Sequence, residues 1–197
     1  ENPERERIRA SPPTGGLQAT TRALEHLDEA RAIVLVEGIS DQRAVEALAE
    51  RRERHLDRDG VVVVPIGGAQ AIGRFLTRFG PRGSRTRLAG LYDVGEEDVV
   101  RNSLERAGFG TDLTRADMEQ LGFYVCIEDL EDELIRALGP ARIESLLDSG
   151  GDLGSFRTFQ KQPAWRGRPV ESQLRRFMGS ADRRKLRYGP KFIEALA

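Results

Sequence analysis

The chain has 197 residues, is 39% hydrophobic and 32% charged, and carries a formal net charge of −1. That suffices for one domain with a real core and an appendage. No apolar run approaches the roughly 20 residues that span a bilayer, so no membrane partner is expected, and no secretory signal is visible. The single cysteine, Cys126, excludes an internal disulfide, and with only two histidines a Cys/His zinc site lacks ligands. A reducing cytoplasm is the expected compartment, and any metal should be held by oxygen. The absence of an initiator Met suits a trimmed piece or a fragment.

Residues 1 to about 22 hold Pro3, Pro12, Pro13 and Gly15-Gly16 among charges and read as a loose arm or short leading helix. Leu24 and Leu27 give helical spacing just before the first strand. The chain is organised around Arg31–Asp41, RAIVLVEGISD. Its apolar run Ala32–Val36 suits a strand buried on both faces of a parallel sheet. The run stops at Glu37-Gly38, and Ser40 is the expected cap of the helix that follows, with Asp41 in its first turn. Glu37 thus falls at the carboxyl end of a strand, where open α/β sheets place their ligand sites.

That helix is expected to run to about Asp57, with Ala44, Val45, Leu48 and Ala49 on one face. Val61–Ile66 is the second strand, and Gly67-Gly68 opens a helix from Ala69 to about Arg78. A basic loop, Pro81–Arg87, leads into the third strand, Leu88–Tyr92, which ends at Asp93. Glu96, Glu97 and Asp98 then feed a helix to about Ala107. A helical turn near Thr114–Gln120 precedes the fourth strand, Phe123–Ile127, which ends in Glu128, Asp129 and Glu131. Strands alternating with helices four times predict βαβ units and a mainly parallel sheet. Beyond Glu133 only helices are expected: Leu134–Leu138, Pro140–Leu147, Ser155–Gln160, Val170–Met178 and Asp182–Leu196.

Charge is polarised along the chain. Thirteen acids face three arginines between Asp93 and Glu133, whereas eleven bases face two acids between Arg157 and Lys191. Three strands end in carboxylates, and in a parallel sheet those ends share an edge, so Glu37, Asp41, Asp93, Glu96, Asp129 and Glu131 can converge. Crowded carboxylates raise one another's pKa unless a cation neutralises them. Mg²⁺ takes a few carboxylates plus substrate phosphates, and paired ions can stabilise both oxygens of a phosphodiester exchange. Spacing alone equally allows the acids to be helix caps and first-turn residues along an exposed rim.

E-G-x-S-D after the first strand, Gly-Gly after the second, an Asp-led acidic cluster after the third and D-L-E after the fourth resemble a Toprim domain. More narrowly, they are similar to the Toprim half of the OLD (overcoming lysogenisation defect) nucleases, over about Arg31–Leu138. The resemblance implies an α/β, Rossmann-like fold of about four mainly parallel strands between helices. It divides the chain into a leading arm (1–30), a Toprim core (31–138) and a basic helical extension (139–197). It also implies Mg²⁺- or Mn²⁺-dependent cleavage of DNA, with Glu37, Asp41, Asp93, Asp129 and Glu131 as metal ligands. Glu37 has a second assignment, general acid or base. Toprim domains usually place a second Asp two residues after the first, in D-x-D. Here Gly95 stands there, and Glu96 is the nearest substitute.

OLD-type nucleases also use a lysine from a C-terminal helical element, which points to Lys185, with Lys191 as its competitor. Arg82, Arg85, Arg87, Arg183, Arg184, Lys185 and Lys191 suit DNA phosphate contacts. Gly67-Gly68 before a helix offers backbone N–H groups to an anion, but there is no G-K-[ST], so no ATPase is expected in this chain. An ATPase half or partner is implied elsewhere. His26 and His55 read as surface residues. Phe156, Phe159, Trp165, Phe177 and Tyr188 sit among bases, where core packing is expected and base stacking is the alternative. The competing function is a Toprim-like nucleic-acid- or partner-binding module without chemistry, motivated by Gly95.

Overall fold

The computed structural model describes residues 27–127, 129–180 and 182–196. Most of the expected leading arm, His26 and Glu128 therefore lie outside the described residues. Four strands, β1 (Ala32–Val36), β2 (Val61–Pro65), β3 (Arg87–Asp93) and β4 (Phe123–Cys126), form one sheet in the order β2-β1-β3-β4. Every pairing is parallel: Ala32 lies beside Val61 and Arg87, and Gly90 beside Phe123. This is the architecture expected of strands whose apolar runs show no alternation.

From β1 the chain steps one way to β2, then returns across β1 to β3 and on to β4. Right-handed crossovers place the helix after β1 on one face and the helices after β2 and β3 on the other. The packing follows. α1 (Ile39–Arg51), followed by the single turn α2 (Leu56–Asp59), lies on one face, while α3 (Ile72–Phe79) packs against α4 (Glu97–Ala107) on the other. After α5 (Arg115–Gln120) and β4 come α6 (Leu130–Leu138), α7 (Pro140–Ser149), α8 (Leu153–Gln160), α9 (Val170–Gly179) and α10 (Asp182–Ala195). The last of these returns to pack along α1. The carboxyl ends of β1 and β3 thus form the switch point of the sheet, where a crevice opens.

Two cores result. Ile33, Leu35, Phe75, Leu76, Val100, Leu104 and Phe123 belong to one. Ala44 of α1 joins Leu134, Ile143, Phe156, Leu174, Phe177, Tyr188 and Phe192 in the other. Each large side chain so buried contributes roughly 1.5–3 kcal/mol, so the basic tail is held by a core of its own. Polar contacts add to it. Tyr188 Oη donates to Asp152 Oδ2 at 2.7 Å, and Arg51 donates to the carbonyls of Ile193 and Glu194 at the end of α10. β3 approaches its neighbours closely at Gly90, where a Cβ would stand 2.8 Å from the Phe123 ring and 3.2 Å from the Leu35 carbonyl.

Several expected boundaries move for local reasons. Gly38, not Ser40, caps α1, because the Asp41 carboxylate at the third helical position accepts the Gly38 N–H at 2.8 Å. α1 ends at Arg51 rather than near Asp57, since Glu53 takes a left-handed φ of 55°. After Gly67-Gly68 a 3-10 turn, Ala69–Ala71, precedes α3. α6 starts earlier than expected, at Leu130, because Asp129 caps it through Asp132 N–H at 2.7 Å. No helix among the described residues is long and apolar enough to cross a membrane.

Candidate active site at the carboxyl edge of the sheet

Glu37 follows β1 directly, and its backbone is fixed by the second crossover. Gly67 and Gly68 donate their N–H groups to the Glu37 carbonyl at 3.0 and 3.3 Å. Both glycines have positive φ (77° and 108°), which other residues rarely adopt. The anion-binding reading of this pair is thereby corrected: its N–H groups are spent on positioning Glu37.

Four further carboxylates act on the same space. Burial holds the Asp41 carboxyl above the usual range, offset in part by its bond to Gly38 N–H and by Lys185. Asp93, the last residue of β3, is pushed up to about 7 by desolvation and by the charges of Glu37, Asp129 and Asp41. Asp129 spends Oδ1 on capping α6 and turns Oδ2 to within 3.7 Å of Lys185 Nζ. Glu131 is 4% exposed, and burial raises its pKa against the pull of the same ammonium, 3.0 Å away. Burial draws Lys185 down, but Glu131, Asp129 and Asp41 outweigh it and hold the ammonium above the usual lysine range. Lys185 comes from α10, so the C-terminal helix closes one side of the edge.

The other expected site residues fall elsewhere. Glu96 caps α4 and is not among the charges acting most strongly on Asp93. Its neighbour Glu97 is clamped by Arg101 and Arg115. Lys191 lies over the Tyr188 ring, 5.7 Å from its centroid. Arg82 donates to the Arg106 carbonyl at the end of α4, Arg85 is exposed with φ 60°, and Arg87 is the first residue of β3. These three arginines therefore sit at the amino end of the sheet. Seven residues of β3 separate that end from Asp93, about 20 Å at ~3.3 Å per residue. On α10, Arg183 is exposed, while Arg184 donates to Ser180 Oγ and the Phe177 carbonyl.

The basic run Arg175–Arg187 was expected to meet phosphates, but nothing in the sequence foresaw that the Arg175 guanidinium lies 3.9 Å from Asp132 in the first turn of α6. Nor did anything there foresee Arg115, which reaches from α5 to Glu97. Neither contact has a short-range signal, since each joins separate elements. Cys126, buried beside the edge, has its thiol pushed up to about 12 by desolvation and the neighbouring acids, which makes it a poor nucleophile.

Among the described residues no three His, Cys, Asp or Glu side chains stand close enough together, as placed, to hold a metal ion. The donor chemistry nonetheless fits a hard cation. Glu37, Asp41, Asp93 and Asp129 all offer carboxylate oxygens, and desolvation together with the charges of its neighbours lifts Asp93 toward neutrality. Gly95 leaves room beside them, for a Cβ there would meet nothing within 4 Å.

A four-stranded parallel sheet with acids at the switch point and helices on both faces defines a Toprim-type α/β unit. Residues 30–86 match the sequence model of the Toprim domain of overcoming lysogenization defect protein-like proteins. The fold is similar to the C-terminal region of the Xanthomonas campestris pv. campestris OLD protein. That match has a TM-score of 0.64 and 21% identity, covering 86% of this chain and 91% of that one. The C-terminal region of the Burkholderia pseudomallei OLD protein is similar to the same degree, with a TM-score of 0.63 and 21% identity over 85% and 89% of the two chains. No curated protein sequence matches significantly. The chain resembles the Toprim domain of OLD-like proteins, and the C-terminal helices are part of the likeness.

Proposed function

We propose that the chain is a divalent-metal-dependent nuclease that hydrolyses DNA phosphodiester bonds, the nuclease portion of an OLD-like protein whose ATPase lies elsewhere. The observation that carries this reading is the group of mutually repelling carboxylates at the switch point, with Lys185 held against them. Glu37, Asp41, Asp93, Asp129 and Glu131 are the oxygen donors. When bound there, Mg²⁺ or Mn²⁺ supplies neutralising charge and Lewis acidity toward water and a phosphoryl oxygen.

The chain's own groups supply the rest. The Gly67 and Gly68 N–H bonds to the Glu37 carbonyl fix its backbone, so only its side chain has to turn when its carboxylate engages. Lys185 stays protonated through the neutral range, giving a fixed positive charge where a phosphate gains negative charge. In the cation-free protein Asp93, titrating at about 7, can hold a proton, which a bound cation would displace. Arg183 and Arg184 flank Lys185 on α10 and suit the DNA backbone. Phosphate contacts by Arg82, Arg85 and Arg87 would be remote from cleavage.

A catalytically silent nucleic-acid-binding module is the second reading, favoured by Gly95 in place of an acid. Supercoiled plasmid incubated with the chain in Mg²⁺, Mn²⁺ or EDTA separates the two. Metal-dependent nicking or linearisation that disappears in Glu37→Gln and Asp93→Asn is expected. Cleavage unchanged in both variants refutes the assignment, and salt-sensitive DNA binding without cleavage in any metal selects the module.

A further inference from the structure

The C-terminal helices carry a feature that the acidic edge does not use. α8, the segment after it, α9 and α10 enclose a cleft of about 650 Å³ whose lining includes Phe159, Trp165, Phe177, Arg176 and Arg184. Phe159 stacks on Trp165 with ring centroids 5.3 Å apart and leans on Phe177 at 5.7 Å. Phe177 is buried in the second core, as are Phe156 and Tyr188. Phe159 and Trp165 are only half-buried, so part of the aromatic platform is presented to the cleft rather than consumed by packing.

Positive charge frames the platform. The Arg184 guanidinium lies 3.9 Å from the Phe177 ring centroid, steadied by Ser180 Oγ at 2.8 Å. Arg176 is exposed and has no ion-pair partner among the described residues. From Gly154 to Arg184 the sequence holds eight bases against Glu171 and Asp182. Aromatic faces flanked by guanidinium groups are the means by which proteins hold unpaired bases and their phosphates. A duplex keeps its bases stacked inside and offers nothing to such a platform.

The cleft is also coupled to the acidic edge by adjacent residues. Arg184 edges the cleft while Lys185 meets Glu131, and Arg176 edges it while Arg175 meets Asp132. α9 and α10 therefore each turn one residue to the acids and the next to the cleft. We infer that this cleft binds an unpaired base of a single nucleic-acid strand whose backbone continues to the acidic edge. Single-stranded or frayed DNA is then the preferred substrate class, a conclusion that rests on the nuclease reading, whereas base binding in the cleft does not.

Trp165 is the only tryptophan, so its fluorescence reports on the cleft alone. The full chain is titrated in EDTA with a single-stranded oligothymidylate, a duplex of equal length and an abasic single strand. Saturable quenching by the oligothymidylate is expected, with the duplex and the abasic strand at least about fivefold weaker, as loss of one stacked base predicts. The exposed Arg176→Ala substitution should keep the fold, checked by circular dichroism, and weaken binding severalfold. Equal quenching by all three ligands, no quenching by any, or unaltered binding in Arg176→Ala overturns the inference. Because EDTA removes cleavage from the readout, quenching without metal-dependent cleavage of either the plasmid or the single-stranded oligothymidylate refutes only the nuclease reading. Cleavage without quenching refutes only this one.

Discussion

Replacing Asp93 with Asn should stabilise the cation-free protein in a pH-dependent way. In the fold the carboxyl titrates at about 7 rather than 3.8, because it is desolvated and faces Glu37, Asp129 and Asp41. A shift of that size, at 1.36 kcal/mol per unit, amounts to about 4 kcal/mol. The group is half open to solvent, and screening reduces this to roughly 2 kcal/mol. The sign follows from linkage. A folded pKa above the unfolded one means stability that is full below about pH 4 and is lost as the pH rises through about 7. Asp93→Asn, neutral throughout, escapes that loss. Thermal unfolding in EDTA at pH 8 should show the variant melting roughly 4–8 °C above the wild type, the shift such an energy gives in a domain of this size. The gap should shrink steadily as the pH falls to about 4. Mn²⁺ at pH 8 should raise the wild-type midpoint and leave the variant's nearly unchanged. A gap that does not change with pH, or a variant less stable at pH 8, would refute the reasoning.

Four other substitutions, one of them a control, test separate parts of the structure. Gly95→Asp should fold normally, since a Cβ there meets nothing within 4 Å and φ lies outside the left-handed region. By adding a carboxylate it should tighten Mn²⁺ binding about tenfold in calorimetry. Gly90→Ala drives a methyl group to 2.8 Å from the Phe123 ring and should cost about 1–3 kcal/mol, read as a lower urea midpoint. Lys185→Met leaves the buried Glu131 without its partner and should cost about 1–3 kcal/mol in EDTA while removing cleavage. Lys191→Met, which changes a residue lying over Tyr188, should do neither.

The strands were legible because parallel strands advertise themselves as unbroken apolar runs, and both Ala32–Val36 and Val61–Val64 are such runs. Their order was not, since no local pattern says that β3 lies beside β1. Glu37, Asp93 and Asp129 could be singled out from their positions at strand ends, which is a one-dimensional property. Arg82, Arg85 and Arg87, expected to meet DNA phosphates, lie in the loop before β3 or at its first residue and so belong to the opposite edge. Glu96 stands differently from these: the 3-10 turn after Asp93 makes it the cap position of α4. The contact of Lys185 with Glu131 spans 54 positions, and only the family resemblance pointed to that lysine. Packing of the tail aromatics was expected, and Phe156, Phe177 and Tyr188 do pack in the core, but no spacing marked Phe159 and Trp165 as the two left partly open.

The central claim is that the acids gathered at the ends of β1, β3 and β4 hold a divalent cation. Titration of the chain with Mn²⁺ at pH 8, following the free ion by electron paramagnetic resonance, tests it most directly. The account predicts saturable loss of the free-ion signal by the wild type, strong weakening in Glu37→Gln and Asp93→Asn, and no change in Arg82→Ala at the opposite edge. Equal Mn²⁺ binding by all four proteins, or none by the wild type, would contradict it.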